Sequence, residues 1–248
     1  MITYKNEKDI EYMRRSGKIA ALILKKVSDA VKPGITTKEL NNIAEKLIEE
    51  NNVRAAFKHY DNFPAALCTS INDVVVHGVP NKTILKEGDI VGLDFGVVYE
   101  GWYSDTAVTV PVGEISPEAR RIIKVTKKAL RLGIKKAKPG STTGDIGNTI
   151  QRYVEDEGFS IVKELVGHGI GKDLHEDPYV PNFGKRRGGI ELKSGMVVAI
   201  EPMIVAGNPE LKLAKDKFGY VSKNNFLTAH FEHTVAITEN GPEILTKI

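Results

Sequence analysis

The residues Leu85-Lys-Glu-Gly-Asp-Ile-Val-Gly-Leu-Asp94 recur, lightly edited, as Leu192-Lys-Ser-Gly-Met-Val-Val-Ala-Ile-Glu201. Each copy closes an apolar run on a carboxylate, and the two acids lie 107 residues apart. A buried acid at a strand end is costly unless something cationic satisfies it. Two more acids complete a matched set: Ser104-Asp105-Thr106-Ala107-Val108 resembles Phe231-Glu232-His233-Thr234-Val235. Asp94, Asp105, Glu201 and Glu232 drawn together would carry a charge of about −4 and could not all stay ionised without counter-charge. Two divalent cations supply it, and His168 is the candidate for a single nitrogen ligand. Oxygen-rich coordination with one nitrogen and no sulfur suits Mn, Fe(II) or Co(II), with Zn also compatible. Two such ions ~3.5–4 Å apart activate a bridging water and polarise a carbonyl, which is the apparatus of a hydrolase. His77 and His175 are then left for proton transfer and for stabilising a tetrahedral intermediate.

Taken singly, each of these residues has a plainer explanation. Asp94 or Asp105 could be a strand-end turn former, His77 a satisfied core histidine, and Glu201 a strand terminus before Pro202. The glycines of Gly167-His168-Gly-Ile-Gly171 could cradle a phosphate, although the segment lacks the Lys-Ser/Thr of a P-loop and the spacing of a dinucleotide turn.

The elements that must position these side chains also repeat. Val31-Lys-Pro-Gly-Ile-Thr-Thr37 matches Ala137-Lys-Pro-Gly-Ser-Thr-Thr143, and Arg14-Arg15 matches Arg120-Arg121, both 106 residues on. Blocks recurring in the same order imply one duplication, with halves near 1–115 and 116–248. So long a period excludes a solenoid. Ile10, Met13, Gly17, Ala20, Ala21, Leu24 and Val27 are spaced as on a helix over 7–31, stopped by Lys32-Pro33-Gly34. Thr36 with Glu39 reads as a capping box opening a second helix. The later half predicts helices near 117–136 and 142–157. Strands are expected at Val74–His77, Ile90–Phe95, Thr106–Val110, Ile161–Val166, Val197–Ile200 and Thr234–Ile237. Helices followed by strands in each half predict an α/β (α+β) single domain around a mainly antiparallel sheet.

Composition narrows the class. A net charge of +3 spread along 248 residues gives no basic block, so nucleic-acid binding is not indicated. No stretch reaches the ~18 apolar residues of a membrane span, and the N-terminus has no secretory h-region. The only cysteine is Cys68, which excludes internal disulfides and thiolate zinc sites and suits a reducing cytoplasm.

At His77-Gly, Leu93-Asp94-Phe-Gly, Ser104-Asp105-Thr, Gly167-His168-Gly-Ile-Gly…His175-Glu-Asp-Pro, Ile200-Glu201-Pro-Met and Phe231-Glu232-His-Thr, the sequence resembles the type I methionine aminopeptidases, over essentially the whole chain. The resemblance implies the pita-bread fold of two pseudo-symmetric halves around an antiparallel sheet. It also implies a monomeric cytoplasmic enzyme that removes initiator methionine from nascent polypeptides with a small second residue, in transient contact with the ribosome.

By the same resemblance Asp105 and Glu232 bridge the two metals, Asp94 completes one, and His168 and Glu201 complete the other. Glu201 is also the general base, His175 binds the scissile carbonyl, and His77 contacts the scissile amide nitrogen. A methionine pocket is implied at Phe57, Tyr60, Phe63, Cys68, Leu174 and Phe218. Leu174 and Phe218 depart from the Phe and Trp of some members, which leaves an apolar but less bulky wall. The 26 residues from His175 to Glu201 leave no room for the helical insert of the type II enzymes. Two alternatives stand beside this reading: a proline-specific peptidase of the same superfamily, and a non-catalytic peptide-binding scaffold.

Overall fold

The computed structural model describes residues 1–247; Ile248, the last residue of the expected second half, lies outside the described residues. Four helices form where period and caps coincide: α1 (Glu7–Asp29), α2 (Thr37–Glu50), α3 (Pro117–Ile134) and α4 (Thr143–Asp156). Capping boxes open α1 at Asn6/Asp9, α2 at Thr36/Glu39 and α4 at Thr142/Asp145, and each satisfies backbone donors that a helix start leaves free. Ser116 caps α3, with Pro117 next to it at a position where its missing N–H costs nothing.

The strands are β1 (Arg54–Ala55), β2 (Leu67–Ile71), β3 (Val74–Val76), β4 (Ile90–Tyr99), β5 (Trp102–Pro111), β6 (Ser160–Ile161), β7 (Gly167–Gly169) and β8 (Glu176–Val180) in the first three-quarters of the chain. They continue as β9 (Val197–Ile200), β10 (Met203–Val205), β11 (Leu211–Leu213), β12 (Tyr220–Ser222), β13 (Thr228–His230), β14 (Glu232–Thr238) and β15 (Gly241–Ile244). Nine of them build one sheet, in the order β1-β4-β5-β14-β9-β7-β8, with β2 on β4 and β15 on β14. All its pairings are antiparallel.

Strand alternation sorts the side chains of this sheet. Leu93, Phe95 and Val97 of β4 pack with α1 and α2 in one core, joined by Leu24, Val27, Leu40 and Leu47. Val198 and Ile200 of β9 and Val235 and Ile237 of β14 pack with α3 and α4 in a second core, around Ile122, Leu130, Ile146 and Ile150. Burying a side chain such as Phe95 contributes roughly 2–3 kcal/mol. The intervening residues, Asp94 on β4 and Ala199 on β9, are left to the opposite face.

The same local bonds recur at the repeat spacing. Gly34 N–H donates to Leu85 C=O at 2.8 Å, and Gly140 N–H to Leu192 C=O at 3.0 Å. Thr36 bridges Ile84, and Thr142 bridges Glu191. At the centre, β5 pairs with β14, and the Thr234 hydroxyl both accepts from the Asp105 N–H and donates to the Asp105 C=O.

One expectation is corrected. Residues 161–166 are not one strand: Ile161 ends β6, which pairs with β10 in a small sheet, and the chain crosses over 162–166 before entering the large sheet as β7. Val162 N–H still donates to Met203 C=O, while Lys163 and Glu164 are exposed, so the apolar run changes sheets and does not extend one. The glycines of β7 do not form a phosphate cradle. A Cβ on Gly167 would stand 2.4 Å from Ala199 O, and one on Gly169 2.1 Å from Asp177 O. They are glycines because neighbouring backbones approach there.

Candidate active site

A tight hairpin fixes the first two acids. Tyr99 pairs with Trp102 across Glu100 and Gly101, whose φ values of 50° and 77° suit a two-residue turn with both central residues left-handed. The register that follows sets Asp94 opposite Ala107 and Gly96 opposite Asp105. Asp94 and Asp105 are therefore diagonal neighbours on one face. Glu232 of β14 also faces Ala107, from the other side, and Cys68 of β2 faces Asp94. Glu201 follows β9 directly, and its backbone carbonyl accepts a 3.0 Å bond from the buried Asn182 Nδ2.

The acids and one imidazole converge. Asp105, His168 and Glu232 each offer a ligand atom, and these lie within 4.8 Å of one another. His168 Nε2 is 3.5 Å from Glu201 Oε1. Asp94, Asp105, His168 and Glu232 are all buried, and Asp94 Oδ1, Asp105 Oδ1 and Glu232 Oε1 have no hydrogen-bond partner among the described residues. Burial, then mutual repulsion, drives the carboxyls of Asp94, Glu201 and Glu232 well above the usual carboxylate range. Asp105 is pushed up to about 7, mainly by burial. Burial, together with nearby His175, holds His168 down to about 3, so its ring is neutral, as a metal ligand must be. Its Nδ1 is 2.8 Å from Gly169 O, which leaves Nε2 with a free lone pair toward the acids. Orphaned acid oxygens beside the neutral imidazole of His168, with no sulfur ligand, fit divalent cations of the Mn, Fe(II), Co(II) or Zn type.

The cluster forms the floor of a cavity of about 870 Å³ whose walls include His77, His175, Phe57, Tyr60, Phe63, Cys68, Leu174 and Phe218. Every residue singled out from the sequence thus faces one space. His77 and His175 differ from the acids in that both are exposed. His77, in a left-handed conformation at φ 57° after β3, is held down to about 4 by burial and by His175. The accessible ring face tempers that shift, and its direction leaves a neutral imidazole at pH 7. His175 is lowered too, by burial, and its Nδ1 lies 2.8 Å from Tyr60 Oη. Phe57, Phe63, Cys68 and Leu174 form one buried apolar cluster, against which Phe218 packs edge-on to Phe63 at 5.5 Å. Burial, then the surrounding acids, raises the Cys68 thiol well above its usual range, so it is a wall and not a thiolate.

Residues 11–239 match the model described as Metallopeptidase family M24. The chain belongs to metallopeptidase family M24. Over 99% of both chains, this M24 chain is 48% identical to the methionine aminopeptidase of Clostridium acetobutylicum. It is 44% identical to methionine aminopeptidase 1 of Bacillus subtilis over 100% of both. The crystal structure of methionine aminopeptidase from Rickettsia prowazekii matches it with a TM-score of 0.98 at 43% identity, covering 100% of each chain. The fold is the pita-bread arrangement of those enzymes, and the M24 chain is a metallopeptidase of the methionine aminopeptidase group. Among the described residues no helix is long and apolar enough to cross a membrane.

Two features of the site escape a reading of the sequence. His230 stands in the motif His230-Phe-Glu232-His233, yet nothing local marks it as different from a core histidine; its position two residues before Glu232 is the available signal. Tyr60 reads as a pocket wall, and its contact with His175, 115 residues away, has no local signature.

Proposed function

We propose that the chain removes the N-terminal methionine from nascent polypeptides whose second residue is small, using two divalent cations held between its halves. The observation that carries this reading is the shared cavity: an apolar wall of Phe57, Phe63, Cys68 and Leu174 stands beside the acid cluster. A thioether packs well against aromatic rings, and a substrate so anchored presents its scissile bond to the acids and histidines.

The residues that would hold the cations are Asp94, Asp105, His168, Glu201 and Glu232. When bound, the cations supply an activated water and polarise the carbonyl. Glu201 takes the proton from the attacking water at its carboxylate and passes it on to the leaving amine. His175 donates a hydrogen bond to the carbonyl oxygen as negative charge grows there. His77 contacts the scissile amide nitrogen and assists its departure. The free α-amine lies toward Asp94, which makes the reaction an exopeptidase cleavage.

On this reading the chain is one catalytic domain, 1–248, built from duplicated halves near 1–115 and 116–248; the recurrent Gly34–Leu85 and Gly140–Leu192 bonds support it. It acts as a cytoplasmic monomer meeting nascent chains transiently at the ribosome. The deciding experiment strips the metal, reloads with Mn, Fe(II), Co(II) or Zn, and compares Met-Ala-Ser with Xaa-Pro-Xaa peptides. Cleavage of the first alone is expected; cleavage of the second, or of neither, defeats the proposal.

A further inference from the structure

His230 ends β13 and has no part in the mechanism above. Thr109 clamps its backbone: the His230 N–H donates to Thr109 Oγ1 at 2.9 Å, and the same hydroxyl donates to His230 C=O at 2.9 Å. The residue is 3% exposed, and its Nε2 has no hydrogen-bond partner among the described residues. That nitrogen lies 3.9 Å from Glu201 Oε2 and 3.9 Å from Glu232 Oε2. The other oxygen of Glu201, Oε1, is the one that His168 approaches at 3.5 Å. Glu201 therefore meets an imidazole at each oxygen.

A neutral imidazole carries one N–H and one bare nitrogen, and a charged one carries N–H on both. A bare Nε2 would set its lone pair against two carboxylate oxygens; the tautomer with the proton on Nε2 sets a donor against them. At 3.9 Å neither contact is yet a hydrogen bond, and shortening one by about 1 Å makes it so. Carboxylates that ligate metals are themselves held by outer hydrogen bonds, which orient them. We propose that His230 is a positioning residue of the metal centre, whose Nε2–H holds the Oε2 oxygens of Glu201 and Glu232 and leaves Glu201 Oε1 beside His168 for the cation. The inference rests on the ligand assignment under Proposed function.

The test compares metal-stripped wild type, His230→Gln and His230→Leu. Each is titrated with Mn(II) by calorimetry, its Co(II) form is examined by visible absorption, and kcat and KM are measured on Met-Ala-Ser. His230→Leu, which has no donor, is expected to bind Mn(II) about 10–100-fold more weakly. It should lower kcat without raising KM, and its metal-free form should melt no lower than wild type, because an unpartnered buried polar atom is gone. His230→Gln restores an N–H donor and is expected to recover most of the affinity with an unchanged Co(II) spectrum. If His230→Leu does not fold, His230→Met serves as the non-donor. Wild-type affinity and kcat in the non-donor variant overturn the proposal and make His230 a packing residue. A changed Co(II) spectrum in His230→Gln overturns it differently, by making His230 a direct ligand. Failure of wild type itself to bind Mn(II) defeats the metal assignment, and this inference with it.

Discussion

Tyr60 Oη lies 2.8 Å from His175 Nδ1, and the two rings meet edge to face with centroids 5.2 Å apart. His175 is a neutral imidazole, so only one of its nitrogens carries a proton. A phenol donating to Nδ1 puts that proton on Nε2, the nitrogen left free to donate to a substrate carbonyl. Tyr60 is delivered by an unusual segment: His59, Asp61 and Asn62 are all left-handed, at φ 74°, 44° and 64°, and none is glycine. Backbone of this kind costs roughly 1–3 kcal/mol per residue and persists only when its surroundings hold it.

Tyr60→Phe keeps the ring and removes the hydroxyl. Loss of one net hydrogen bond, about 1 kcal/mol, corresponds to roughly a fivefold fall in kcat. KM for Met-Ala-Ser should stay near wild type because the pocket wall is intact. Nitrogen NMR of His175 should show mixed tautomers in the variant and one in wild type.

Glu201→Gln preserves shape and removes the proposed base. Steady-state assays on Met-Ala-Ser should show kcat reduced about 10²–10⁴-fold, the usual contribution of a general base. His175→Ala removes the proposed oxyanion donor and should cost about 10²–10³ in kcat. Retention of most wild-type turnover by either variant would contradict the base role of Glu201 or the oxyanion role of His175.

The metal-free protein should lose stability as pH rises from about 6.5 through 7. Asp105 titrates near 7 in the folded chain, and Asp94, Glu201 and Glu232 are raised as well, so the folded state holds more protons than the unfolded one across this window. The buried histidines act in the opposite sense below pH 6.5, since their lowered folded values favour the native state as pH rises. Above 6.5 their contribution is complete and only the acids remain. Thermal melts after chelation should therefore fall across this range, and added Mn(II) should reverse the fall while releasing protons.

Phe63→Ala removes the ring that Phe218 meets edge-on. Truncating a buried aromatic costs about 3–5 kcal/mol of stability, measurable by denaturant unfolding. For methionyl peptides KM should rise more than kcat falls, because the contact is made equally in ground and transition states.

Much of the site was legible because its acids and histidines sit at the ends of apolar runs, where alternation gives them a face. The four helices were legible for the same kind of reason: Thr36/Glu39 and the 3.6-residue spacing in α1 and α3 are local signals. Strands such as β2, buried along nearly its whole length, and β8, which contains Pro178, carry no alternation that a single sequence displays. The two-residue β-turn at Glu100-Gly101 was readable in principle, and it alone extends β4 and β5 past the expected ends at Phe95 and Thr106.

By itself the sequence determined the candidate residues, the recurrence of its sequence blocks and the chemical class, since each depends on residue type and spacing along the chain. Only the tertiary structure decided which nitrogen of which histidine meets which oxygen. His168 at Glu201 Oε1, His230 between Glu201 and Glu232, and Tyr60 on His175 join side chains brought together across separate strands and loops. The physical reason is that sheet register and loop conformation, fixed by non-local backbone pairing, set these distances, and a one-residue slip in any strand would turn its ligands to the other face.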